Sequence, residues 1–324
     1  MNTIPQFLYD FLLNQYDKNI IENIINGYTQ NRPLTLRVNT LKTNIEYIEN
    51  FFDKLHISYK KVSWFTDALI LESTSEEQIR NLEIYNNGFI YLQSLSSMIP
   101  PIILNPGQNE NILDMTAAPG GKTTEMLALS NNQAFITACE KNKIRADRLK
   151  YNIDKQGANR VNVMLTDARN LDNFFSFDKI LLDAPCSGSG TINIHDNNLE
   201  KHFTKDLVTR STKFQTQLLA KAIKLLKPGH EMVYSTCSIL SIENEKIIQK
   251  FIDLNQIEVI PIDKNLFWDV PFLPTSIDGT LCIEPSKFYE GFFVAKLKKA
   301  SGTNEASNVE PSGSSEVPGR KGTD

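Results

Sequence analysis

Two thiols carry the sequence's best candidates for chemistry: Cys186 in DAPCSGSG and Cys237 in YSTCSI, 51 residues later. Each ends an apolar, strand-like run and sits among Ser, Thr or Gly, a partly polar setting that favours a reactive thiol over a packed one. Two thiols at the ends of neighbouring strands suggest covalent, nucleophilic catalysis. Cys139, inside ITACE, and Cys282, in a late β-like stretch, read instead as small buried hydrophobes. No CxxC pair occurs, so neither a structural metal nor a disulfide framework is expected.

A second candidate is the loop DMTAAPGGKTT, Asp114 to Thr124, between an apolar strand and a helix. Small residues and paired glycines let a backbone approach a ligand, and a helix start offers free N–H groups. A tight turn without a ligand fits the loop alone almost as well. The GGKT ending suggests a phosphate-binding P-loop, but that motif needs Gly at position 116, which is Thr. Register adds weight to a ligand site: Glu140 follows Gly120 by 20 residues, the offset of an acid that grips a ribose hydroxyl. Asp114, Glu140, Asp167 and Asp183 all end successive predicted strands, the edge where open α/β sheets bind ligands. Any one of them alone reads as a loop residue or a helix cap.

These groups need a scaffold, and the pattern supplies one. From Asn111 onward strands (NILDM, AFITACE, VNVMLTD, DKILLDAP, EMVYST) alternate with amphipathic helices, which predicts an α/β fold with a parallel sheet covered on both faces. GFFVAKL near the end has no crossover helix after it and is expected to be an antiparallel edge strand. Residues 1–30 show two apolar stripes, Ile4, Phe7, Leu8, Phe11 and Leu12, then Ile20, Ile21, Ile24 and Ile25, and form an N-terminal helical segment. Residues 31–104 form a smaller α+β domain, with LTLRVN, a helix burying Ile45, Ile48, Phe52 and Leu55, and ALILE as a βαβ-like unit. Residues 105–299 make the larger domain. Residues 300–324, rich in Ser, Gly, Glu and Pro, are expected to be a disordered tail.

The chain has 324 residues with 41% hydrophobic and 22% charged, as globular proteins do, and a formal net charge of -4. No overall positive field gathers a polyanion, so any nucleic acid must meet a local basic patch. Lys141–Arg160 holds seven basic residues against two acidic ones, and Lys201–Lys227 seven against one. The first run reads as a solvated helix face; the second lies nearer Cys186 and is expected to touch phosphates. MNTIPQFLYDFLLNQ shows no basic leader or cleavage site, and no stretch reaches the ~18 apolar residues of a membrane span. A cytoplasmic, monomeric protein without membrane or metal partners is expected.

Taken together, DMTAAPGGKTT, ACEKN, TDAR, DAPCSGSG, YSTCSI and GFFVAKL resemble the Sun/Nop (RsmB-like) family of RNA cytosine-5 methyltransferases. RVN at Arg37–Asn39 and QSLSS at Gln93–Ser97 resemble that family's smaller N-terminal RNA-binding part. The resemblance implies a Rossmann-like class I methyltransferase domain, S-adenosylmethionine as methyl donor, and an rRNA or tRNA substrate. It places the donor loop at Thr116, Ala117, Ala118, Pro119, Gly120, Gly121 and Lys122, the ribose acid at Glu140 and the adenine-side acid at Asp167. Asp183 belongs to both donor and active sites. The family's nucleophile matches Cys237, while Cys186 matches the thiol that assists release of the methylated base, a ranking that residue chemistry alone leaves open. Asn193–Asn197 depart from the family's basic and Pro-Asp pattern, and Thr116 stands where many relatives have Cys. A binding or assembly factor with the same fold and little turnover is the alternative of a different class; retention of both cysteines, Asp183 and the donor loop favours the enzyme.

Overall fold

The protein is described by a computed structural model over residues 4–301. Apart from residues 300 and 301, the expected tail lies outside the described residues.

Helices α1 (Gln6–Leu13) and α2 (Lys18–Tyr28) bury Leu8 and Leu12, then Ile21, Ile24 and Tyr28. Asp17 accepts the Ile20 N–H and starts the second helix. Both stripes pack into a core shared with Ile239, Ile248 and Phe251 of the large domain, so these helices cover one face of the large sheet.

The small sheet is built from β1 (Leu34–Val38), α3 (Ile45–Lys54), β2 (Tyr59–Lys61), β3 (Ala68–Leu71), the short helices α4 (Glu76–Arg80) and α5 (Glu83–Asn86), and β4 (Ile90–Leu92). Its order is β2-β3-β1-β4 and every neighbouring pair is antiparallel. The βαβ-like unit expected from LTLRVN and ALILE is therefore corrected. A short strand, Tyr59–Lys61, intervenes, and its hairpin turns β3 back antiparallel beside β1. Ile48 and Phe52 face inward as expected, but Leu55 ends the helix in solvent, 48% exposed.

Helix α6 (Leu95–Leu104) follows β4 and packs against the elements after it. Its buried Leu95, Met98, Ile99 and Leu104 share a core with Met126 and Leu127 and with the strands of the large sheet. By packing, the small unit ends at β4.

The large sheet follows with β5 (Asn111–Asp114), α7 (Gly121–Leu129), β6 (Phe135–Glu140), α8 (Lys143–Gln156), β7 (Val161–Leu165) and β8 (Phe177–Asp183). The short α9 (Leu199–His202) and the long α10 (Lys205–Leu225) lead into β9 (Leu226–Thr236), then α11 (Glu245–Asp253), β10 (Ile257–Ile260), β11 (Phe272–Leu273), β12 (Leu281–Ile283) and β13 (Phe292–Lys299). The order is β11-β12-β13-β9-β8-β5-β6-β7, with β10 also paired to β13. Strands β5 to β9 are mutually parallel, as the alternation predicted. Strand β13 is antiparallel but interior: β9 pairs one side, β12 and β10 the other. The chain after α11 supplies these extra strands, so the expected edge position is corrected. Helices α10 and α11 with α1 and α2 cover one face, and α6, α7 and α8 the other, which gives a class I methyltransferase architecture. Strand order reverses between β5 and β8, so a crevice opens at their carboxyl ends. No helix among the described residues is long and apolar enough to cross a membrane.

Candidate active site

The loop after β5 turns into α7 at Gly120, whose φ of +107° suits glycine. Both glycines are also packing positions. A side chain on Gly120 would meet Leu149 Cδ1 of α8 at 2.9 Å, and one on Gly121 would meet Tyr91 of the small unit at 3.1 Å. The pair lets α7 pack closely against α8 on one side and the small unit on the other.

Two clefts flank this loop. The first holds about 200 Å3 and is lined by Thr116, Ala118, Glu140, Asp167, Asp183 and both Cys186 and Cys237, among others. The second, at the junction with the small unit, is lined by Ala117, Pro119, Gly121 and Lys122 with Tyr91, Gln93 and Ser97. Thr116, Ala118 and Asp183 line both. The expected donor residues are thus divided between two spaces. Gly120 lines neither, being spent on packing.

In the first cleft Glu140 is almost fully buried, accepts the Asn142 N–H at 2.8 Å, and lies 3.5 Å from Arg145. Asp167 is forked by Arg169, with the guanidinium at 2.7 and 3.0 Å, and this hydrogen bonding holds its carboxyl below the usual range. Arg169 in turn lies 4.0 Å over the Phe214 ring, which faces the cleft. An acid at each of two adjacent strand ends, small loop residues and an apolar floor of Cys139, Ala168 and Leu218 suit a nucleoside bearing a polar tail.

Asp183 stands where the clefts meet. Its carboxylate accepts from Ser235 at 2.8 Å and pairs with Lys122 at 2.8 Å, while its backbone carbonyl accepts from Thr116 at 2.7 Å. Lys122 also donates to Ser97 at 2.7 Å. Lys122 therefore points away from the first cleft, toward the acid and the QSLSS segment. Asp114, the remaining strand-end acid, is buried, accepts from Thr123 at 2.7 Å, and is pushed up to about 6 by burial. It secures the start of α7.

The two thiols meet, with Sγ atoms 3.2 Å apart at the cleft's edge. The Cys186 thiol is held well above its usual pKa, first by its bond to Cys237 and then by burial. Cys186 thus favours its protonated form beside Cys237. Cys139 and Cys282 are buried, as read from sequence, with Cys139 pushed up to about 12 by burial.

What fixes the two thiol loops is a group that sequence reasoning missed. Glu243 is fully buried and accepts from the Ser187 N–H at 2.8 Å, the Ser187 hydroxyl at 2.6 Å and the Ser238 hydroxyl at 2.6 Å. One carboxylate therefore ties the residue after Cys186 to the residue after Cys237. Asn244 adds bonds to Thr236 and the Ser238 carbonyl at 2.6 and 2.9 Å. Gly190 donates to the Cys237 carbonyl at 3.0 Å, and a side chain there would lie 1.9 Å from the Gly291 carbonyl. The glycines of SGSG and GFF are thus one contact. No spacing rule marks Glu243, whose only signal is an acid in an otherwise apolar and hydroxyl-rich stretch.

The segments that resemble an RNA-binding part are largely an internal seam. Arg37 is 1% exposed and donates to Thr124 at 3.1 Å on α7, and Gln93 donates to Glu125 at 2.6 Å. Asn39 bonds the Gly88 and Gln156 carbonyls. These side chains are consumed in joining β1 and β4 to α7 and α8. Among the described residues no cluster of His, Cys, Asp or Glu could hold a metal ion.

Comparison with known proteins agrees with this fold. Residues 101–298 match the 16S rRNA methyltransferase RsmB/F family, and residues 4–76 match the RsmF/B-like methyltransferase ferredoxin-like domain. The ribosomal RNA small subunit methyltransferase F of Shewanella sp. (strain ANA-3) is 35% identical over 279 residues, 83% of this chain. The chain spans 57% of that relative's length. A methyltransferase homolog protein from Pyrococcus horikoshii superposes with a TM-score of 0.73 at 32% identity, over 90% of this chain and 98% of that one. NSun6 from Pyrococcus horikoshii, determined with SFG, shares the fold with a TM-score of 0.80 at 22% identity, over 92% of this chain and 99% of that one. With its fold and both sequence matches in agreement, the chain belongs to the RsmB/F methyltransferase family.

Proposed function

We propose that the protein methylates carbon 5 of a cytosine in RNA, rRNA before tRNA, using S-adenosylmethionine and a covalent adduct to Cys237. The observation that carries this reading is the pair of thiols 3.2 Å apart beside the Lys122–Asp183 ion pair. S-adenosylmethionine, bound in the first cleft, would supply an electrophilic methyl group. Glu140 would accept from its ribose hydroxyls and Asp167 would face its adenine.

Carbon 5 of cytosine is a poor nucleophile, and the thiols answer that. The Cys237 thiolate adds to carbon 6, and the electron pair of the ring double bond moves to carbon 5. Asp183 and Lys122 meet the charge and proton that develop at the ring nitrogen and carbonyl. Carbon 5 is then alkylated, loses its proton, and expels Cys237 as the double bond reforms. Cys186 is placed for that second stage. Cys186, whose Sγ lies 3.2 Å from that of Cys237, would yield its own proton to water and, as the thiolate, take the carbon 5 proton to end as the thiol again. The base must leave its stack to admit a thiol beside the ring.

The test uses methyl-labelled S-adenosylmethionine and rRNA lacking the modification. Wild type should label one cytosine, Cys237→Ala should abolish labelling, and Cys186→Ala should accumulate a covalent protein–RNA adduct on denaturing gels. Full labelling by Cys237→Ala would overturn the thiol assignment; donor binding without labelling of any RNA would favour a binding factor.

A further inference from the structure

A third depression, of about 480 Å3, opens where the small unit meets α8. Its lining includes Arg80 and Tyr85 from the small unit and Arg148, Tyr151 and Lys155 from α8, with no carboxylate among the lining residues. Arg148 makes no hydrogen bond or ion pair among the described residues and is exposed. Lys155 has no carboxylate partner among the described residues; its amine lies 3.6 Å over the Tyr85 ring and 5.9 Å from that of Tyr151. Arg80 lies over the same Tyr85 ring at 5.1 Å, and pairs with Glu76 outside the groove. Burial together with the like charges of Arg80 and Lys42 lowers the Lys155 pKa, the mark of crowded cations. Tyr151 is 63% exposed, a large aromatic face left to solvent.

The groove is continuous with the chemistry. It shares Tyr91, Leu92 and Pro119 with the second cleft, which in turn holds Lys122 and Asp183. A chain lying in it would run from the α8 cations past Tyr91 to the acid beside the thiols.

We infer that this groove binds single-stranded RNA flanking the target nucleotide, with a base stacked on Tyr151 and phosphates on Arg148 and Lys155. The inference rests on the RNA methyltransferase reading and adds the path of the substrate strand. Cations without acids suit a polyanion, and the open face of Tyr151 suits a base that a duplex would keep stacked. The basic run of α8, which from sequence reads as a solvated face, thereby acquires a ligand.

The test measures fluorescence anisotropy of the full chain with a labelled, unstructured RNA of about 12 nucleotides, within the span such grooves cover. Arg148→Gln with Lys155→Gln should weaken binding and lower the slope of log affinity against log salt by about 1.4, for two lost single-strand phosphate contacts. Tyr151→Ala should weaken binding about tenfold with the slope unchanged. Affinity for S-adenosylhomocysteine should stay at the wild-type value in all variants, which reports an intact fold. If the variants bind RNA like wild type while methyl transfer persists, the groove is overturned and the reaction stands. If wild type neither binds RNA nor transfers methyl groups, both fall. Equal loss of a duplex of the same sequence would overturn the single-strand assignment.

Discussion

Two buried carboxylates stand behind the site, and they are satisfied to different degrees. Glu243 accepts three hydrogen bonds from Ser187 and Ser238 and closes a clamp within the large domain. Glu125 on α7 accepts one, from Gln93, while its Oε1 and Nη1 of the nearby Arg37 find no protein partner among the described residues. Both are fully buried, and burial raises both. The difference lies in where the partners come from. Ser238 is five residues from Glu243, and Ser187 follows β8, the parallel neighbour of β9, so one sheet edge fixes all three. Arg37, Gln93 and Glu125 come from β1, the end of β4 and α7, across the seam of two units. Saturation is reached where the backbone already dictates spacing; the seam is left with charges that can change state.

Removing the clamp should have the largest effect. Glu243→Ala leaves a buried N–H and two hydroxyls without their acceptor, and should cost about 3 kcal/mol or more. Chemical denaturation measures this, and methyl transfer at a temperature where the variant is folded should fall further as the thiols lose register. Glu243→Gln keeps one acceptor oxygen and should cost about 1–2 kcal/mol. Were Glu243→Ala to lose less stability than a seam variant, the contrast between the two carboxylates would be reversed.

Arg37→Leu probes the seam. It removes the cation nearest Glu125, but Glu125 can take a proton rather than stay charged, so the cost should be about 1–2 kcal/mol instead of the ~3–5 kcal/mol of a permanently unpaired buried charge. The loss should be larger at pH 8.5 than at pH 6, where protonation is easier. Adding Glu125→Gln to Arg37→Leu should return part of the stability at the higher pH, a coupling read from a double-mutant cycle.

Sequence reading reached the parts of this molecule that rest on short-range pattern. Strand and helix alternation located β5 to β9, and apolar stripes located α1 and α2, because burial on one face imposes period on neighbouring residues. It failed where pairing is decided at a distance. Nothing in GFFVAKL says that 257–260 and 281–283 will come to flank it, and nothing near Tyr59 says that three residues will form a hairpin partner. The paired thiols were legible as types at strand ends, but their contact depends on the register of β8 against β9. Glu243 was illegible because a positioning residue needs only a carboxylate in the right place, with no motif of its own. Lys122 and the two glycines were placed in one loop correctly by sequence, yet their directions diverge because α8, the small unit and Asp183 each claim a different side of it.

The finest test of the contrast is the pH dependence of stability. Burial pushes Glu125 up to about 8, from an ordinary 4.5. Between those values the native state holds a proton that the unfolded chain has released, so this group's stabilising contribution is full below about pH 4.5 and is lost as pH rises toward 8. Asp114, pushed up to about 6, acts with the same sign but finishes earlier, so the window from pH 6 to 8 belongs mainly to Glu125. Glu125→Gln cannot titrate, so its melting temperature should fall less across that window than that of wild type, with the two curves converging toward lower pH. Parallel curves from pH 6 to 8 would mean that Glu125 is ionised throughout and compensated by Arg37. The seam would then be as fully satisfied as the Glu243 clamp, and the distinction drawn between them would fail.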